Sequence, residues 1–398
     1  MEEETPWHTA AIKALHKGQL DAVETYLATP PAGAHLGFRD VILLEVLVAQ
    51  GKRKDAQALY ERLLWSPWIA TQPVFQSKLQ RYTTYFLKVW SPRVYDLHPM
   101  EAVPENMTMV GGSLCVHGRG LGVLARALNV VYNGKELKNT GDRWNRYINT
   151  LYWCVLDPSL RMLSSTRLSD RAVYPRASDA FVGYEDPRVF TWQGDLWMTS
   201  TSYQVYRSGK AHVVLSRLEG DRVVSLVPLH CPDMNDEQRH WAPWVHANDI
   251  HLIYRVQPWT VLRVDSTDTG TTSVVAHHTV PGWTTGMHPA TSPVPYKDGY
   301  LMVVAFHDPM VGHEERTLYR YVRLSQALLP TQVSSSWVLW EPELETVQGL
   351  AVHGEYVYLT YGHKQKECRV TRFILPLLET SVVWYPIESK KTNPSTKK

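Results

Sequence analysis

Five times between residues 120 and 361 the chain runs from a turn of Gly, Asp or Asn into an apolar strand that ends on Tyr, Asn or His. These units are Gly120-Leu-Gly-Val-Leu-Ala-Arg-Ala-Leu-Asn129, Gly194-Asp-Leu-Trp-Met-Thr-Ser-Thr-Ser-Tyr203, Asn248-Asp-Ile-His-Leu-Ile-Tyr254, Asp298-Gly-Tyr-Leu-Met-Val-Val-Ala-Phe-His307 and Gly354-Glu-Tyr-Val-Tyr-Leu-Thr-Tyr361. Successive turns fall roughly 50 to 75 residues apart, the length of a four-stranded blade with its loops. Five such units predict an all-β five-bladed β-propeller. In that architecture the polar segments that open equivalent strands meet around the central axis, so residues far apart in sequence form one concave site. Four units follow such a segment: Glu185-Asp-Pro-Arg188, Trp241-Ala-Pro-Trp244, His288-Pro-Ala-Thr-Ser-Pro293 and Gln348-Gly-Leu350.

The chain reads differently before residue 95. Apolar residues recur there at three and four, punctuated by Gly18, Gly51 and Pro30-Pro31, which predicts short helices. Aligning Gly18–Tyr26 with Gly51–Tyr60 matches Asp21 with Asp55, Ala22 with Ala56 and Tyr26 with Tyr60 at one common offset of 34 residues. That period resembles tetratricopeptide-type helical hairpins, which offers two uses: a cap packed on the next domain, or a module that docks a protein partner. The predicted organisation is an α-helical domain over 1–95, the propeller over 96–385 and a polar, basic, disordered tail over 386–398.

Composition removes several functions. With 41 Lys plus Arg against 39 Asp plus Glu, the formal charge is +2, too small a field to hold a phosphate backbone, so no nucleic-acid partner is expected. The four cysteines, Cys115, Cys154, Cys231 and Cys368, are far apart without a C-x-x-C pair, and no His-Glu-x-x-His occurs. Neither a metal nor another cofactor is expected, and the cysteine usage fits a reducing, cytoplasmic setting. The N-terminal Met-Glu-Glu-Glu-Thr lacks the basic residues of a signal peptide, and the apolar run Val41–Ala49 is short and carries Glu45, so no membrane span is expected. Asp265-Ser-Thr-Asp-Thr-Gly270 lacks the ligand series of a calcium loop and reads as a hairpin turn. The chain has 15 Trp and 21 Tyr but only 7 Phe, a preference for rings with a polar handle that suits sugar stacking or a sheet-rich core.

The chemistry concentrates in Gly183-Tyr-Glu-Asp-Pro-Arg-Val189. Two adjacent acids, a stiffening Pro and an Arg stand just before a predicted strand. Glycosyl transfer needs a carboxyl group to move a proton to or from oxygen, and Arg can clamp a phosphate or sugar hydroxyls bidentately. The same residues could instead form an ion pair that holds a turn.

Glu185-Asp-Pro-Arg188 followed by Gly194–Tyr203 resembles the signature of the five-bladed propellers of glycoside hydrolase family 130, the mannoside phosphorylases, and of glycosyltransferase family 108. Gly112-Ser113-Leu114 with Arg126-Ala-Leu-Asn129 resembles the first-blade motif, and Trp241-Ala-Pro-Trp244 with Tyr254-Arg-Val-Gln-Pro258 the third-blade Asn-Trp-x-Pro-Phe and Tyr-x-x-x-Pro pattern. Met287–Pro293 takes the fourth-blade place and Tyr361-Gly362 the fifth. The resemblance covers about residues 105 to 375. It implies inversion at the anomeric carbon and makes Asp186 the catalytic acid or base, with Glu185 orienting neighbours or binding a sugar hydroxyl. It further implies that Arg126, Arg188, Arg255 and His307 bind phosphate or sugar, and that Tyr184, Trp241 and Trp244 stack on a sugar face.

Two departures qualify this. His288-Pro289 stands where the family often has Arg-Gly-Gly, which makes His288 a replacement contact, and Gln365 stands near an expected Asp. The resulting expectation is a cytoplasmic carbohydrate-active enzyme that transfers or phosphorolyses a mannosyl unit from a sugar phosphate or nucleotide sugar. The alternatives are a non-catalytic glycan- or protein-binding propeller, and an inverting glycosidase whose second acid is Asp233, Glu341 or Glu343.

Overall fold

The computed structural model describes residues 6–28, 36–64, 66, 75, 79, 82, 93–132, 137–140, 146–171, 173, 181–205, 210–231, 238–280, 283, 286–307, 317–339, 345–364, 366–380 and 382–387. Five antiparallel sheets follow one another along the chain as the blades of a propeller. The first blade runs from its inner strand Thr108–His117 through Gly120–Leu128 and Tyr147–Leu156 to Met162–Arg167. The second runs from Glu185–Trp192 through Asp195–Ser202 and His212–Glu219 to Arg222–Val223, and the third from Ala242–His246 through Asp249–Val256 and Trp259–Val264 to Thr272–His278. In the fourth the inner strand is broken into His288–Pro289 and Val294–Tyr296, both paired with Gly299–His307, followed by Thr317–Leu324 and Pro330–Ser334. The fifth, Glu345–His353, Tyr356–His363 and Glu367–Ile374, takes its outer strand from Arg93–Asp96, far earlier in the chain. That pairing ties the start of the β region to its end.

The five turn-and-strand units are the first hairpin of each blade. Each hairpin closes with two residues between paired positions: His117 with Gly120, Trp192 with Asp195, His246 with Asp249, Tyr296 with Gly299, and His353 with Tyr356. Two-residue hairpins need φ above zero to match strand twist, which explains the Gly and Asn at these places. The segment Asp265–Gly270 is a turn as expected, closed by the Asp265 amide on the Thr271 carbonyl.

Hydrophobic clusters fill the five seams between neighbouring blades. Trp241 lies in the seam between blades 2 and 3, Trp259 between 3 and 4, and Trp337 between 4 and 5, each at most 2% exposed. The seam between blades 1 and 5 is tight enough to need glycine. A Cβ on Gly362 would stand 2.2 Å from the Val110 carbonyl oxygen, and one on Gly349 2.7 Å from the Leu114 amide nitrogen.

Helices α1 (Pro6–His16), α2 (Leu20–Ala28), α3 (Leu36–Ala49) and α4 (Arg53–Leu64) precede the propeller. Helix α1 lies against α2 and α3 against α4. The 34-residue correspondence does not extend to environment, because Tyr60 is 1% exposed and Tyr26 is 40% exposed. The difference has a cause: Leu44, Leu59, Tyr60 and Leu63 enter the seam of blades 3 and 4 with Trp259, Phe306 and Leu318. Polar contacts fix this docking, with Glu61 accepting from the Ser336 amide at 2.6 Å and from Arg320 at 3.0 Å, and Gln57 donating to Ser335 at 3.0 Å. A short helix, α5 (Leu375–Thr380), and the strand Trp384–Pro386, which pairs with Pro330–Ser334, end the described chain. The predicted tail beyond residue 387, and Gln365, lie outside the described residues.

Candidate active site

The inner strand of blade 2 opens irregularly. Its partners across the hairpin run Arg188 to Thr199 and then Glu185 to Thr201, so Asp186 and Pro187 bulge opposite Ser200. A bulge re-aims side chains that regular pleating would send to a blade face. Asp186 takes a left-handed φ of 46°, a conformation that costs energy outside Gly and is held here by its surroundings. Blade 5 repeats the device: Gln348 bulges between Val347 and Gly349. Both bulges face one cavity of about 270 Å³. Its walls are Asp186 and Arg188 from blade 2, His240 from the segment entering blade 3, His288, Pro289, Thr317 and Tyr319 from blade 4, and Thr346 and Gln348 from blade 5.

A guanidinium from blade 1 organises the acids. Arg126, 8% exposed, donates Nε to Asn149 Oδ1 at 2.7 Å, Nη1 to Asp186 Oδ1 at 3.3 Å and Nη2 to Glu185 Oε1 at 3.4 Å. Asn149 in turn donates to the Val182 carbonyl at 3.0 Å, which sets the fork. Tyr203 donates to the other oxygen of Glu185 at 3.3 Å. Across the cavity His240 Nδ1 stands 3.6 Å from Asp186 Oδ2, and its ring lies 4.8 Å from that of His288. Arg188, 6% exposed, donates Nη2 to the Pro289 carbonyl at 2.7 Å, while its Nη1 is buried with no hydrogen-bond partner among the described residues. Gln348 Oε1 is buried in the same state on the opposite wall.

These surroundings separate the two adjacent acids. Burial pushes the Glu185 carboxyl above the usual 4.5; Arg126 opposes the shift and the Asp186 charge adds to it. Burial also works against ionisation of Asp186, but His240, Arg126, Arg188 and Arg239 together outweigh it and hold that carboxyl below 3.8. Paired acids whose environments drive their proton affinities apart are a recurring arrangement for proton-transfer chemistry. Burial lowers the Arg188 guanidinium to about 10 even with Asp186 beside it. The cavity therefore offers an ionised carboxylate, an imidazole and a buried cationic donor with unused capacity. Among the described residues no three His, Cys, Asp or Glu side chains are grouped to hold a metal ion.

Other residues singled out by sequence are placed elsewhere. Arg126, expected at phosphate or sugar, donates once from each of its three nitrogens to Asn149 and the two acids and is not among the cavity walls. Trp241 and Trp244, 2% and 3% exposed, are core: Trp241 packs edge-on to Tyr254 and Trp244 against His251 and Tyr300, which leaves neither ring a face for a sugar. Tyr184, also 2% exposed, lies in the seam of blades 1 and 2. Arg255 is exposed, with its guanidinium 4.9 Å from the Tyr254 ring centre, and is not among the cavity walls. His307 ends a strand, but its side chain lies outside the described residues, as do Asp233, Glu341 and Glu343. Sequence reasoning passed over His240, Asn149 and Tyr203 as site residues. Of these His240 carried a signal, since it directly precedes the Trp241-Ala-Pro-Trp244 opening.

No protein-family model and no curated protein matches the chain. Solved structures do. A glycosyl hydrolase from Bacteroides ovatus is 10% identical with a TM-score of 0.49, covering 77% of this chain and 97% of its own. A mannose phosphorylase from Leishmania mexicana, solved with a phosphate ion, is 10% identical with a TM-score of 0.46, covering 75% and 93%. A β-1,2-mannobiose phosphorylase from Listeria innocua, solved with β-1,2-mannobiose, is 13% identical with a TM-score of 0.50, covering 73% of this chain and 99% of its own, and this likeness is one of fold.

Proposed function

We propose that the chain is a carbohydrate-active enzyme that transfers or phosphorolyses a mannosyl unit with inversion at the anomeric carbon. One observation carries the reading: Asp186 and Arg188, two residues apart on a bulged strand, face the same axial cavity, one as an ionised carboxylate and the other as a buried guanidinium with an unpaired donor. An unpaired buried donor is costly unless a ligand uses it, and a phosphate or a sugar hydroxyl would. The mannosyl choice is supported by the fold shared with the β-1,2-mannobiose phosphorylase. A sugar phosphate or nucleotide sugar serves as donor in the transfer direction, as in the mannosyltransferase group the sequence resembles.

Placement in the cytoplasm belongs to the same proposal, as does a tetratricopeptide-type pairing of the N-terminal helices. Among the described residues no helix is long and apolar enough to cross a membrane. Because α3 and α4 are spent on the propeller, a protein partner would meet α1 and α2.

The test is a product screen in which purified protein meets mannose 1-phosphate or GDP-mannose with simple sugar acceptors, beside Asp186→Asn. Product from the sugar phosphate assigns a phosphorylase-type reaction and product from the nucleotide sugar a transferase, and Asp186→Asn should abolish either while remaining folded. No product from either donor, with glycan binding retained, returns the protein to a binding propeller.

A further inference from the structure

His240 is held in the cavity in a way its neighbours in sequence do not require. Its φ of 60° is left-handed, like that of Asp186, and its side chain is 38% exposed on the cavity wall. Two non-glycine residues from different blade openings are thus both strained and both turned toward the same few ångströms of space, a pairing that marks functional sites. The ring shows Asp186 its Nδ1 edge at 3.6 Å, a separation that closes to a hydrogen bond when substrate tightens a site. Nε2, on the far edge of an imidazole so oriented, is left for the substrate.

Asp186 by contrast accepts from Arg126 at Oδ1, 3.3 Å away, and turns Oδ2 to His240 at 3.6 Å. A carboxylate clamped between two cationic or protonatable groups is a poor proton carrier and a good counter-charge. We propose that His240 is the catalytic residue that carries the proton in glycosyl transfer, and that Asp186 orients its ring and balances its charge. The inference rests on reading this cavity as a glycosyl-transfer site. In the transfer direction the acceptor hydroxyl oxygen attacks the anomeric carbon of a glycosyl phosphate. The new carbon–oxygen bond forms as the bond to the phosphate oxygen breaks, and its electron pair leaves on the phosphate. The hydroxyl proton passes to His240 Nε2, giving an imidazolium beside the Asp186 carboxylate, and then to the departing phosphate. Phosphorolysis runs the same steps backward.

The groups facing the ring are Asp186, Arg188, Arg239 and His288. Burial, aided by Arg188 and Arg239 and opposed by Asp186, holds the imidazole below its usual 6.5, so at neutral pH it is uncharged and ready to accept a proton. Base function is lost as pH falls through that value. If His240 is the base, the acid limb of kcat/KM lies below 6.5; if Asp186 acted alone, it would lie below 3.8.

The experiment compares wild type and His240→Gln in kcat/KM from pH 4 to pH 9. His240→Gln should lower kcat by about 10²- to 10⁴-fold with KM little changed, and should remove the acid limb below 6.5. Equal unfolding midpoints and retained donor binding separate this from a folding defect. Activity within about threefold of wild type, or an unmoved acid limb, overturns the inference. A second readout needs no turnover: the His240 ring, followed by NMR, should titrate at lower pH in Asp186→Asn, because the aspartate charge favours the imidazolium. A ring whose titration ignores Asp186 removes the pair. Failure of wild type in the donor screen refutes the glycosyl-transfer reading instead, and the NMR titration still decides whether the pair exists.

Discussion

Replacing Glu61 with Ala tests whether the N-terminal helices are structurally part of the propeller. The Glu61 side chain is 7% exposed and that of Arg320 11%, so the pair is effectively desolvated. Beyond the Arg320 bond at 3.0 Å, Glu61 accepts from the Ser336 amide at 2.6 Å and from the Ser336 hydroxyl at 3.0 Å. Truncation leaves Arg320 without its carboxylate and the Ser336 amide without an acceptor. Removing one partner of a buried pair costs about 3–5 kcal/mol, chiefly from the charge left behind. An unfolding entropy of about 2.1 cal/mol/K per residue gives about 0.8 kcal/mol/K for this chain, so a loss of about 4 kcal/mol lowers Tm by about 5 °C.

Differential scanning calorimetry on wild type, Glu61→Ala, Arg320→Met and the double variant closes a mutant cycle. The double variant should recover most of the loss, because a buried pair replaced by apolar groups is nearly neutral while half a pair is not. A Tm within about 1 °C of wild type for Glu61→Ala, or a double variant that falls as far as the two single losses added, would show that the helices rest on the propeller without a desolvated anchor.

Arg188→Met should abolish turnover and lower Tm, because it leaves the buried Pro289 carbonyl without its donor and removes a cation from beside Asp186; wild-type kcat/KM in this variant would contradict the role given to Arg188. Gly362→Ala should cost about 1–3 kcal/mol in denaturant unfolding, since its Cβ meets backbone that cannot swing aside; an unchanged midpoint would mean that the seam between blades 1 and 5 is looser than 2.2 Å implies.

How much of this was legible depends on where each residue sits relative to a blade. The first hairpins could be read because two demands coincide in a few residues: a two-residue turn wants Gly or Asn, and the second strand of a blade is covered on both faces and so runs apolar, as in Gly120–Leu128. Outer strands give no such signal. Met162–Arg167 and Thr272–His278 alternate poorly because each is largely exposed. The same geometry explains why Asp186 and Arg188 of Glu185-Asp-Pro-Arg188 line the cavity while Tyr184, Trp241 and Trp244 are buried away from it. In a propeller both faces of an inner strand press on neighbouring blades, so its regular side chains go into seams, whatever polar handle they carry. Trp241 and Trp244 show this directly: they lie three residues apart at the opening of one inner strand, and they bury in opposite seams, blades 2–3 and blades 3–4. Beside regularly paired residues such as Arg188 and Thr346, positions that leave the pleat also reach the axis, by a bulge, as at Asp186 and Gln348, or just before a strand begins, as at His240. A bulge containing Pro announces itself in sequence. A His one residue ahead of the Trp241-Ala-Pro-Trp244 opening marks a place at a blade opening but names no partner, because Asp186 lies 54 residues away and only closure of the blades around the axis brings the two within 3.6 Å.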